Sequence, residues 1–500
     1  MHELETELRI TRRRRSRVGA FVIVVTLMTL FGSLFAELTP VHRFLRGEVD
    51  WRGHRVYAPP HPVDAAALGG IDLERVHTEL LPAWVLASGK AVGGGNEVAE
   101  VEAFERLTAA VSPDANLTDL LQSLRGHVAA GGLRTDPKRA LYLVWAWSTY
   151  LDRAGHPYLV QGSILRTDKG RVFATTILRT HPRGDVTVGD DNYRVRVGTR
   201  VDGTNVVERY LGAAGRDQAI VVVDRVREFA LTELWLLLEP ANDHLSPGRA
   251  VFADAVRQEA RARLPDAAFR QLRSLAVPRW SIVATVTEIH ERRARCGAGL
   301  RINHVPWFGF EGERIVALRA MAQRDAAADC PAITLDEVDR LERASHKLLA
   351  APGLEDAVGA LVAWAVEHVA VHEARHLADH RYADGFDVAL SCGACSEAMG
   401  VTARAELSGY LASIAWSPSP ATALYQACRA IAEDGRLGHG HAVKGPHAEA
   451  MALLQRRLGH RCTQGPPQDL AARARGLERA MLGRSEPIAL GEGWPRTLPL

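Results

Sequence analysis

The sequence predicts an α+β protein in three parts: an N-terminal transmembrane helix, a mixed domain with a small antiparallel sheet, and a mainly α-helical domain. Three observations carry this. A charge-free apolar run, Val18 to Ala36, follows the cluster Arg12-Arg13-Arg14-Arg15-Ser16-Arg17. Between about residues 156 and 230 the hydrophobic residues alternate, as in strands; from about 231 onward they recur at helical spacing. Five hundred residues also exceed one simple core. The expected segments are a basic cytoplasmic tail (1–17), the anchor (18–36), a polar tether (37–63), a mixed domain (64–230) and the helical domain (231–500).

The apolar run is about as long as a thin bilayer core requires of a helix. The arginines hold its N-terminal end in the cytoplasm and place the bulk of the chain outside, in a periplasmic or extracellular space. A cleaved signal peptide is the alternative, but Leu34 stands where a small residue is wanted before the cleavage point. Both readings export the body of the protein. The six cysteines, all past the midpoint, agree with an oxidising compartment. Nearest-neighbour pairing gives Cys296–Cys330, Cys392–Cys395 and Cys428–Cys462. The net charge of +2 gives no reason to expect a nucleic-acid partner.

Along the mixed domain, "LTDLLQSLRGHVAAGG" and "PKRALYLVWAWSTYLDRAG" read as helices closed by glycine. "YLVQGSILRT" and "RVFATTILRT" flank the turn "DKG" as a hairpin. "YRVRVGTRV" alternates arginine with valine, as a half-exposed strand does, and "AIVVVDRV" is a further strand. In the helical domain, "SPGRAVFADAVRQEARARL", "LEDAVGALVAWAVEHVAVHEARHLADH" and "SEAMGVTARAELSGYLASIAW" are helices. Three more follow, each opened by proline: "SPATALYQACRAIAEDG", "PHAEAMALLQRRLGH" and "PPQDLAARARGLERAMLG".

Several motifs are set aside. "SGKAVGGGNE" lacks the P-loop spacing, and Ala91 replaces the magnesium-holding hydroxyl. No G-x-S-x-G elbow occurs. Cys392-Gly393-Ala394-Cys395 has no second C-x-x-C to complete a four-cysteine zinc site and reads as a local disulfide. Glu74–His77 formally repeats the E-x-x-H of Glu373–His376, but too far away to make a di-iron pair.

One motif remains, His372-Glu373-Ala374-Arg375-His376. With 20 histidines in the chain, chance alone yields H-E-x-x-H in roughly one such sequence in twenty, so context must decide. On a helix, residues four apart share a face, so His372 and His376 can point at one metal. Glu373 lies beside them, placed to take a proton from a metal-activated water. On a wheel of about 100° per residue, these three continue the apolar stripe of Val358, Val362, Ala365, Val366 and Val369. Burying two imidazoles and a carboxylate together is costly unless they are paired or bound to metal. His380 falls on the same face and His368 on its flank, as spare groups or ordinary helix histidines.

A third ligand is needed. Asp379 and Tyr382 stand where a metzincin has glycine and histidine, which leaves a carboxylate on a following helix. Here the chain resembles the gluzincin branch of the zincin metallopeptidases, over about residues 358–416. The resemblance implies a zincin-like domain and a zinc-dependent peptide-bond hydrolase acting on a peptide or protein. Glu397 lies nearer the usual gluzincin interval. Glu406 borders the apolar face of Met399, Ala403, Leu407, Tyr410 and Ile414, whereas Glu397 adjoins Ser396, a candidate N-cap where the helix dipole accounts for a carboxylate. Glu406 is therefore the expected ligand and Glu397 the rival. Tyr410, one turn on, could donate to an oxyanion, as could His447; a core tyrosine and a capping histidine are the structural alternatives. The non-enzymatic reading is an anchored envelope protein with a structural or degenerate His-Glu helix that binds a partner.

Overall fold

The structure is a computed structural model that describes residues 59–92, 94–168, 170–181, 184–202, 211–214, 219–297, 308–382, 399–437 and 445–498. The arginine cluster, the run 18–36, most of the tether, Cys392, Cys395, Ser396 and Glu397 lie outside these, as do the side chains of His380 and Tyr382. Among the described residues no single helix is long and apolar enough to cross a membrane. The molecule is α+β, mostly helical with a small sheet. It divides into two compact units, 1–176 and 177–500. The boundary expected at 230/231 thus falls within the second unit, and most strands group with the helical segment.

In the first unit, α1 (Leu81–Val92), α2 (Glu97–Val111), α3 (Ala115–Ala129) and α4 (Pro137–Arg153) precede β1 (Tyr158–Thr167) and the start of β2 (Gly170–Thr180), which pair with each other. Asn96 and Asp114 cap α2 and α3 by accepting from Val98 and Leu117 N–H. Glu74 and His77 are used locally. Tyr158 donates to Glu74. His77, in a π-turn ahead of α1, stacks on Tyr158, while its Nε2 accepts from Trp147 at 3.2 Å and its Nδ1 lies 2.7 Å from the Leu73 carbonyl.

In the second unit, the end of β2 pairs antiparallel with β4 (Asp191–Arg200), Leu178 opposite Arg200. β3 (Gly184–Val188) forms a hairpin with β4, and β7 (Ile488–Leu490) joins β3 from the far end of the chain. On β4's other side β6 (Ala219–Val222) runs parallel, Val195 opposite Ala219, and β5 (Gly212–Ala214) pairs antiparallel with β6. The sheet is therefore antiparallel except for β4–β6. Alternation reports which face a residue takes and not which way its neighbour runs. The half-exposed reading of β4 also needs correction: Arg194 is exposed but Val195 to Gly198 are all buried, Arg196 included.

The helices follow as α5 (Val223–Phe229), α6 (Pro247–Arg263), α7 (Asp266–Arg295), α8 (Gly312–Arg324), α9 (Leu335–Leu349), α10 (Leu354–Tyr382), α11 (Val401–Trp416), α12 (Pro420–Leu437), α13 (Pro446–Leu458) and α14 (Leu470–Leu482). α10 carries the His-Glu motif and is the unit's central element. It packs against the sheet, α7 and α11, and every residue from Ala357 to Asp379 is buried. A helix apolar nearly all round belongs in a core. Cys296–Cys330 and Cys428–Cys462 are disulfides, with Cα separations of 6.3 and 5.7 Å, so both of these expected pairings form.

Candidate metal centre

The wheel placed the motif on the interior face of α10, and His372, Glu373 and His376 are buried. Burial is not what sets them apart, however. Glu367 and Arg375, on other faces of α10, are buried too, each ion-paired. What distinguishes the motif is convergence. The Nε2 atoms of His372 and His376 lie 3.0 Å apart, and His372 Nε2 lies 3.3 Å from Glu406 Oε2. Ligands at about 2.0–2.1 Å around a tetrahedral ion lie about 3.3 Å from one another. Two imidazoles and a carboxylate at this spacing could hold a metal ion.

Glu406 comes from α11, which begins at Val401 with Gly400 as N-cap, four residues past Ser396. Glu406 is half-buried beside the two imidazoles, where the sequence expected it. Glu397 lies outside the described residues. The helices approach closely because residue 409 is glycine: a Cβ there would stand 2.5 Å from His372 Cε1. Tyr410 follows, with its ring edge-on to His372 at 5.0 Å and its hydroxyl 2.8 Å from His447 Nδ1. His447, in the first turn of α13, also lies 3.2 Å from Glu406 Oε2. Tyr410 and His447 are thus both at the site. His368 is not: it is buried one turn before His372, its ring against Phe229, and burial, followed by His372's charge, pushes its pKa down to about 3.

Glu373 is enclosed from the sheet side. A Cβ on Gly212 of β5 would stand 2.6 Å from Glu373 Oε1, so backbone covers the carboxylate. Burial, then the charge of Glu406, holds the Glu373 carboxyl well above the ordinary range. Burial pushes Glu406 the same way, but hydrogen bonds to His372 and His447 and the charges of His372 and His376 outweigh it. Glu406 is held well below the ordinary range. The two carboxylates so differ in role: one is fixed as an anion among imidazoles, the other has high proton affinity beside them.

Gly212, Gly409 and Arg375 were not singled out from the sequence. A glycine within a helical pattern marks close approach, and Gly409 could have been found that way. The short "LGAAG" stretch carries no such signal. The chain matches no protein-family model, no curated protein and no solved structure in the three comparisons made.

Proposed function

We propose that the chain is a membrane-anchored, exported zinc-dependent peptidase of the zincin type, with its catalytic part outside the cytoplasm. The observation that carries the reading is the convergence of His372, His376 and Glu406 beside a buried fourth group, Glu373. The donor set, two neutral nitrogens and one carboxylate oxygen, suits zinc in a catalytic site. The two disulfides are compatible with an oxidising compartment.

Bound zinc supplies Lewis acidity toward a carbonyl and acidifies a water. The rest of the chemistry belongs to the chain. His372 and His376 hold the ion through Nε2, and Glu406 supplies the anionic ligand. Glu373 in its ionised form takes the proton from the attacking water and passes it to the departing amine. Tyr410, oriented by His447, donates its hydroxyl proton in a hydrogen bond to the carbonyl oxygen as that atom gains negative charge. Glu373→Gln should keep zinc and lower peptide hydrolysis by about 10²–10⁴-fold, the usual worth of a general base. Hydrolysis at the wild-type rate would remove Glu373 from this role.

One observation favours a second reading, a structural polar cluster in a non-catalytic envelope protein. The contacts from His376 through His372, Glu406 and His447 to Tyr410 link these groups to one another. On that reading the chain takes up no zinc.

A further inference from the structure

Resting on the zinc reading above, we infer that Arg375, within the motif itself, is a positioning residue that locks the two ligand-bearing helices in register. Its guanidinium is fully buried. Nε donates to Ser408 Oγ on α11 at 3.2 Å and lies 3.3 Å from Asp379 Oδ1. Nη1 lies 3.1 Å from Glu486 Oε2, and Nη2 lies 3.1 Å from Glu478 Oε1 on α14. Arg484 pairs with Asp379. Trp416 Nε1 and Ser485 Oγ donate to Glu478 Oε2 at 2.9 and 2.8 Å. One side chain thus joins α10, α11, α14 and the segment running into β7.

The placement of these contacts gives them their effect. At about 100° per residue, Glu406 and Tyr410 lie on one flank of α11 relative to Gly409, and Ser408 lies on the other. On α10, Arg375 lies on the opposite flank of His372 from His376 and Glu373. The metal group therefore occupies one side of the helix crossing and the Arg375–Ser408 bond the other, with Gly409 against His372 between them. Because the two contacts sit on opposite flanks, a rotation of α11 that changes the Glu406–His372 separation also changes the Arg375–Ser408 separation, so holding one fixes the other. A guanidinium suits this task because its rigid fork meets several acceptors at fixed angles, which an ammonium does not.

The test uses the full chain with Ser408→Ala and Arg375→Lys. Ser408→Ala removes the α10–α11 bond and leaves the ion pairs, so it remains informative if Arg375→Lys fails to fold. Zinc affinity is measured by competition with a chromophoric chelator, and coordination geometry by the visible spectrum of the Co²⁺-loaded protein. Both variants should weaken zinc binding about tenfold or more, as loss of groups that orient ligands does, and should alter the Co²⁺ spectrum. A folded Ser408→Ala protein with wild-type zinc affinity and Co²⁺ spectrum, and only a lower metal-free melting temperature, overturns the inference alone. A wild-type chain that takes up neither metal overturns the zinc reading and the inference with it.

Discussion

Gly212→Ala separates Glu373, the proposed general base, from the proposed metal ligands. A Cβ at this position would stand 2.6 Å from Cγ and Oε1 of Glu373 and 2.8 Å from Cδ. Comfortable contact between heavy atoms begins at about 3.5 Å, so roughly 1 Å must be yielded. The strand cannot readily yield it. Gly212 is paired opposite Val221 of β6, and the Leu211 carbonyl accepts from Val222 N–H at 2.8 Å. The carboxylate moves instead. Displacing a catalytic group by about 1 Å costs on the order of 10²-fold in rate, which is about 2.7 kcal/mol at 1.36 kcal/mol per tenfold. The three nearest contacts of the new methyl group are all atoms of Glu373, so the metal group is left in place. The assay is kcat/KM on a fluorogenic peptide that the wild type cleaves, alongside zinc content by mass spectrometry. The expected result is about one zinc per chain and a loss of roughly 100-fold. Wild-type turnover with zinc retained would refute the assignment of the Glu373 carboxylate, under its β5 cover, to the reaction.

Gly409→Ala should do the reverse. Its Cβ would meet the His372 ring at 2.5–2.8 Å, displacing a proposed ligand, so zinc binding should weaken at least tenfold; titration with a chelator checks this. In the first unit, His77 is pushed by burial to about 4 from 6.5. The unfolded chain then takes up a proton below pH 6.5 that the folded chain refuses until about pH 4. The stability His77 contributes is thus intact above 6.5 and falls by about 3 kcal/mol as pH drops through that window. Urea unfolding between about pH 7 and 4 should show this slope, and His77→Gln should flatten it; an unchanged slope would mean other groups carry it.

The helices were legible because their apolar periodicity is long and their caps and prolines are conventional. α6, α10, α12 and α13 follow the runs read from the sequence. Glu406 could be chosen because a carboxylate bordering a buried face needs a partner to offset its desolvation, and the imidazoles of the motif are the nearest source of one. The wheel on α10 succeeded for an incomplete reason: the helix is buried all round, so Arg375 and Asp379, which lie off the apolar stripe, are buried as well and neutralised by Glu478, Glu486 and Arg484 from about a hundred residues later in the chain. Such partners leave no local pattern. The direction of β6, the pairing of β7 with β3 and the approach of Gly212 to Glu373 are likewise set by distant segments, and no window of sequence contains them.

Zinc content of the purified full chain, wild type against His376→Ala, decides whether His372, His376 and Glu406 bind a metal. About one zinc per chain is expected in the wild type and its loss in the variant, because Nε2 of His376 converges with His372 and Glu406. Zinc absent from the wild type, or retained at the same stoichiometry after His376→Ala, would contradict the zinc reading.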